Sequence, residues 1–140
     1  GRSLKGDKID ASQYRGKVTL VAFWATWAKP YTDDLPKLVA VHKKYQRSGF
    51  EILGVNLDAD AQGIPAYLTR NGGNTWQHIR DPGGTDGQLA RDFGIVSVPT
   101  MFIVGKDGRV AGGVAAESLE TAATNADITG EEFIPNNAGC

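Results

Sequence analysis

Thiol chemistry needs a cysteine, and this chain has one, Cys140, at its last position. A single cysteine excludes an internal disulfide, a paired dithiol and a cysteine-based metal site. The only two histidines, His42 and His78, are far apart in sequence and lack ligand-like spacing, so no metal centre is expected. Both are expected at surface or boundary positions and not as catalysts. Asp58 and Asp60 follow an apolar run and suggest a cation site. Isolated aspartates after a strand more often cap a helix, and that role is expected here. No Ser/His/Asp set and no glycine-rich phosphate cradle is present, and no cofactor is expected.

The stretch that could hold a site runs from Gly16 to Pro36. Val18 to Phe23 is an apolar, β-branched run expected to form a strand buried on both faces. Trp24 to Tyr31 then turns the chain, and Pro30 stands where a helix can begin, because its missing N–H costs nothing in a first turn. A strand that delivers aromatic residues to a helix N-terminus is a common way to build a site.

The elements around this stretch follow from periodicity. A helix is predicted from about Pro30 to Gln46, with Leu35, Leu38, Val39, Val41 or His42, and Tyr45 at three- and four-residue steps. Asp33 and Asp34 are placed in its first turn, Lys43, Lys44 and Arg47 near its end, Gly49 at its C-cap, and Pro36 inside it as a bend. Phe50–Leu57 reads as a second buried strand, 61–70 as a helix ended by Asn71-Gly72-Gly73, and Trp76–Arg80 as a short strand. Asp86 is expected to cap a short helix from Gly87 to Phe93, closed by Gly94. Met101–Val104 and Val110–Val114 form a hairpin through Lys106-Asp107-Gly108-Arg109. A bend at Gly6-Asp7-Lys8, with Asp10 or Ser12 as a turn cap, is expected before the first strand. A last helix from Ser118 to about Ala126 and a disordered tail over 127–140 are expected at the other end. The alternation predicts a layered α/β domain over 1–126, with parallel central strands and an antiparallel hairpin at one edge.

Length and composition agree. At 140 residues the chain suits one domain with its own core, and 41% apolar with 22% charged residues is ordinary for a soluble globular protein. A net charge of −1 supplies no overall field for nucleic acid or an anionic membrane, so neither partner is expected. No apolar run approaches the roughly 20 residues of a membrane span, and no signal peptide is visible. The start at Gly1 suggests a piece of a longer protein.

Phe23-Trp24-Ala25-Thr26-Trp27-Ala28-Lys29-Pro30-Tyr31, with Asp34 and Pro36 beyond it, resembles the thioredoxin-fold family, and within it the TlpA/ResA-like thiol-disulfide oxidoreductases. Gly16-Lys17-Val18, Gly54-Val55-Asn56-Leu57-Asp58, Phe93-Gly94-Ile95 leading to Val98-Pro99-Thr100, and Asp107-Gly108 extend the resemblance over about residues 4–125. It implies a three-layer α/β/α sandwich on a mixed sheet, with a cis peptide bond at Pro99 facing the turn. It also implies a Trp-Cys-x-x-Cys motif, and here Ala28 stands at its first cysteine and Tyr31 at its second. Thiol–disulfide exchange needs one thiolate to attack and a second thiol to resolve the mixed disulfide. Neither Ala28 nor Tyr31 supplies one.

Two readings of function follow. In the first, the domain has lost its dithiol and binds a protein or extended peptide through Trp27, Lys29, Pro30, Tyr31, Val98 and Pro99. Trp24 is expected in the core and Trp27 at the surface. Tyr31 either plugs the space of the missing disulfide or donates a hydrogen bond to a ligand, and Val98-Pro99 either offers backbone to a partner strand or is only a fold-defining turn. In the second, oxidoreductase or peroxidase-like activity persists through Cys140 or a partner's cysteines. A fully extended tail of about 3.3 Å per residue lets Cys140 reach roughly 45 Å from Asp127, but no second thiol resolves an adduct. An extracytoplasmic or periplasmic location follows from the resemblance alone, and the oligomeric state is left open.

Overall fold

The computed structural model describes residues 8–9, 11–72, 75–81 and 83–114. The expectations at Gly6, Asp7, Asp10 and Gly73, the helix from Ser118, the segment 127–140 and Cys140 lie outside them. Among the described residues, five strands and three helices follow in the order β1 (Val18–Trp24), α1 (Lys29–Tyr45), β2 (Phe50–Asn56), α2 (Ile64–Asn71), β3 (Gln77–Arg80), α3 (Gln88–Asp92), β4 (Thr100–Val104) and β5 (Val110–Gly113). A 3-10 turn over Ala11–Tyr14 leads into β1.

The sheet order is β3-β2-β1-β4-β5. β1 pairs parallel with β2, from Val18↔Phe50 to Trp24↔Asn56, and β2 pairs parallel with β3. On its other side β1 pairs antiparallel with β4, from Thr19↔Val104 to Phe23↔Thr100, and β4 pairs antiparallel with β5. The sheet is mixed, with the expected hairpin at one edge, and helices cover both faces as a layered α/β sandwich.

Alternation along β1 explains the layers. Val18, Leu20, Ala22 and Trp24 face one side and pack with Tyr31, Leu35 and Leu38 of α1 and with Ile64, Tyr67 and Leu68 of α2. Val21 and Phe23 face the other side with Val55, Ala90, Ile95 and Phe102. Every residue of β1 is buried, as the apolar run requires.

Several local expectations need correction. α1 starts at Lys29, so Asp33 and Asp34 fall beyond its first turn, and Asp33 instead pairs with Lys29 on the exposed face. α2 starts at Ile64, with Gly63 as N-cap and Pro65 in the first turn. Asp60 accepts from the Gln62 N–H before that helix, and Asp58 does not cap it at all. Asp86 lies in a 3-10 turn and does not cap α3. Asp81 does, because its carboxylate accepts from the N–H groups of Gly83 (2.9 Å) and Leu89 (3.0 Å). Gly87 is required there, since a Cβ on it would lie 2.4 Å from Asp81 Oδ2. Trp76 precedes β3 and is buried.

Both histidines also depart from expectation, because both are buried. His42 bonds through Nε2 to Glu51 Oε1 at 2.7 Å, and His78 Nδ1 accepts from the Trp24 indole at 3.1 Å. Local sequence carries no sign of either partnership.

Candidate functional site

The turn between β1 and α1 is held by backbone and by one carboxylate. Ala28 N–H donates to the Ala25 carbonyl (3.1 Å), and Tyr31 N–H donates to the Ala28 carbonyl (3.0 Å). Ala28 is the N-cap of α1 and brings no capping side chain, while Pro30 occupies the first turn. Asp58, just beyond β2, accepts from Thr26 N–H (2.9 Å), Thr26 Oγ1 (2.8 Å) and Asn56 Nδ2 (2.7 Å). The exits of β1 and β2 are thereby tied together, and the tie fixes the path of the turn. Arg80 adds to it by donating to the Asp58 carbonyl at 2.7 Å.

The β1–β4 pairing brings a second segment to the same place. Because Phe23 pairs with Thr100, the Val98–Pro99 peptide, which is cis, enters β4 at the sheet end where β1 leaves for the turn. Thr100 Oγ1 donates to the Ser97 carbonyl at 2.7 Å and holds the approach. Val98 and Pro99 are half-buried, and Val98 packs on the cluster under α3.

The residues singled out from sequence therefore divide. Trp27 is 67% exposed, Lys29 and Pro30 are exposed, and Val98 and Pro99 share their end of the sheet. Tyr31 does not belong with them. Its side chain is fully buried, stacked on Trp24 with ring centroids 5.1 Å apart, and Trp24 stacks in turn on Tyr67 at 5.3 Å. Tyr31 is therefore out of reach of a ligand docked at the surface. Its hydroxyl has no hydrogen-bond partner, and burial followed by the neighbouring Tyr67 pushes the phenol far above its ordinary pKa. It stays protonated and supplies neither a nucleophile nor a proton at neutral pH. Ala28 is buried and apolar.

Two exposed apolar residues at this end of the sheet are not singled out by the sequence. Phe93 is 49% and Val96 87% exposed on the segment that leads to Pro99, and Phe93 rests against Phe23 and Phe102. The signal available was Val96, an apolar residue in a loop with no periodic partner. Trp27, Phe93 and Val96 lie on the two segments that meet at this end of the sheet, the turn after β1 and the loop before β4. Among the described residues no group of histidine, cysteine, aspartate or glutamate side chains is arranged to hold a metal ion.

A family profile described as thioredoxin-like matches residues 16–110. The chain is 27% identical over 119 residues to the thiol-disulfide oxidoreductase ResA of Bacillus thuringiensis subsp. konkukian, covering 84% of this chain and 65% of the relative. It is 30% identical over 115 residues to the thiol:disulfide interchange protein HelX of Rhodobacter capsulatus, covering 82% of this chain and 61% of the relative. This chain thus spans less than two thirds of the length of either relative. Among solved structures it superposes on a thiol-disulfide oxidoreductase from Bacteroides fragilis with a TM-score of 0.78 at 25% identity, covering 88% of this chain and 94% of the other.

Proposed function

The chain belongs to the thioredoxin-like family, and from that membership we propose that it is a ResA/DsbE-type domain without disulfide chemistry that binds an extended protein segment. The supporting observation is the pair Ala28 and Tyr31, one an apolar N-cap and the other a core tyrosine, at the strand-to-helix turn. A dithiol at this place would attack a substrate disulfide with one sulfur and release the product with the other. An alanine methyl and a buried phenol can do neither.

The remaining geometry suits contact. Trp27 offers a large rigid surface, the type of side chain that dominates binding energies when a partner covers it. The backbone at Val98 approaches the same sheet end and can pair with an extended peptide in the manner of an added strand. Lys29 carries a charge at the rim, partly committed to Asp33 at 2.9 Å. An extracytoplasmic setting belongs to the same proposal and rests on the family resemblance.

Two measurements test the proposal together. The protein is expected to reduce insulin with dithiothreitol no faster than a blank; turnover above the blank would refute the loss of chemistry. A peptide selected from a displayed library on the wild type is expected to bind Trp27→Ala at least about tenfold more weakly. Equal affinity for the two would remove the face from the function.

A further inference from the structure

The net charge of −1 conceals a separation of charge that only the fold makes visible. Val18 N–H donates to the Gly49 carbonyl (2.9 Å) and Gly16 N–H to the Lys106 carbonyl (3.0 Å). These bonds gather the start of β1, the end of α1 and the β4–β5 hairpin at one end of the sheet, opposite the Trp27 turn. Arg15 and Lys17 come to that end from the entry to β1, and Lys43, Lys44 and Arg47 from the last turns of α1 and the residues after it. Lys106 and Arg109 come from the hairpin. All are exposed except Lys106, which is half-buried, and Lys44 also lies over the Tyr45 ring.

Among the described residues only two carboxylates share this end, and both are engaged. Glu51 is bonded to His42, and Asp107 accepts from the Arg109 N–H at 3.0 Å with its other oxygen 3.9 Å from Arg109 Nε. At the opposite end Asp58 and Asp60 follow β2, Asp81 and Asp86 follow β3, and Asp33 and Asp34 lie in the first half of α1. A seven-residue strand separates the ends by roughly 20 Å, about twice the screening length of ~10 Å at 0.1 M salt. An approaching surface therefore senses the nearer end and not the sum.

We propose that this basic end docks the protein on anionic phospholipid headgroups. A lipid surface fits better than nucleic acid because Val110, 56% exposed beside Arg109, gives the cations an apolar companion that can enter the headgroup layer. The strongly exposed aromatic side chain on which an unpaired base could stack, Trp27, lies at the other end. Docked this way, the molecule turns its Trp27 and Pro99 face toward solvent.

The test is vesicle co-sedimentation of the whole chain. Binding is expected to vesicles of 30% phosphatidylglycerol in phosphatidylcholine, to be absent with phosphatidylcholine alone, and to disappear by about 300 mM salt. Each cation removed is expected to weaken partitioning about fivefold. The double reversal Lys43→Glu with Arg47→Glu should abolish it, whereas Lys29→Glu with Arg91→Glu, the same change in net charge at the other end, should leave it unchanged. In the bound state iodide should still quench Trp27 as in solution. Equal binding to both vesicle types, equal effects of the two reversals, protection of Trp27, or retention on polyglutamate or duplex DNA but not on vesicles would each overturn the proposal.

Discussion

The indole of Trp24 donates to Nδ1 of His78 at 3.1 Å inside a core that buries both rings, and Gly54 is what lets them meet. A Cβ at Gly54 would lie 2.1 Å from His78 Nδ1 and 3.0 Å from Trp24 Nε1. The rings stand edge to face at 5.2 Å, so a Cβ at this position overlaps the imidazole that accepts the bond. Gly54→Ala is expected to cost at least about 2 kcal/mol through this overlap, read from the denaturant midpoint. A wild-type midpoint would show that the two rings yield easily.

Tyr31 gives two opposite expectations at one position. Its hydroxyl is buried without a partner, so Tyr31→Phe removes an uncompensated polar group and should be neutral or stabilising by up to about 1 kcal/mol. Its ring stacks on Trp24, so Tyr31→Cys should cost roughly 3 kcal/mol through the void it leaves. Restoring a dithiol with Ala28→Cys and Tyr31→Cys is expected to give a disulfide on oxidation and measurable insulin reduction, in a protein that melts below the wild type. Thermal denaturation with thiol titration separates these outcomes.

Acid should weaken the fold through Glu51. Burial raises its carboxyl pKa, but bonds from His42, the Ile52 N–H and Gln46 outweigh that and hold it below the ordinary value. A carboxyl depressed in the folded state contributes stability above its unfolded pKa of about 4.3, and this is lost as pH falls through the folded value. Wild-type stability should therefore decline below about pH 4.3, and Glu51→Gln should flatten this part of the profile. At neutral pH Glu51→Ala should cost about 1–3 kcal/mol by leaving His42 Nε2 buried without its acceptor. Urea denaturation at a series of pH values measures both effects.

Asp58 is expected to govern the turn and not an ion. Asp58→Ala removes the acceptor of Thr26 N–H, Thr26 Oγ1 and Asn56 Nδ2 together, at a cost of about 1–3 kcal/mol or more. Amide exchange should accelerate first at Thr26, Trp27 and Ala28, with the β1–β4 ladder unchanged. Uniform acceleration would place the role of Asp58 in global stability.

These residues also mark what the sequence could show. The apolar run of β1, the strands that alternate with helices and the Asp107-Gly108 hairpin are patterns among near neighbours, and each predicted element among the described residues formed close to its place. The partner of Trp24 is 54 positions away and that of Thr26 is 32. No periodicity announces such a distant bond, so residue type alone points His78 to the surface and Asp58 to a helix cap, and the fold puts them elsewhere. Asp86 lies next to α3 in sequence and is the cap that spacing suggests, whereas the chain folds back over Gly83 and Gly87 to bring Asp81 to Leu89 N–H. Tyr31 was readable as a substitution, but its burial depends on α2 supplying Tyr67 to the same stack of rings.

β1 begins beside the basic end and finishes at the Trp27 turn, hydrogen-bonded along its length to β2 on one side and to β4 on the other. Tension applied between a tethered base and a partner gripping the turn would run along this strand. The load would pass through the covalent backbone of β1, which the ladders on both sides hold extended. The central strand is then a tie rod, and a pull strong enough to detach either end would act on the contacts at that end before it unravelled the sheet.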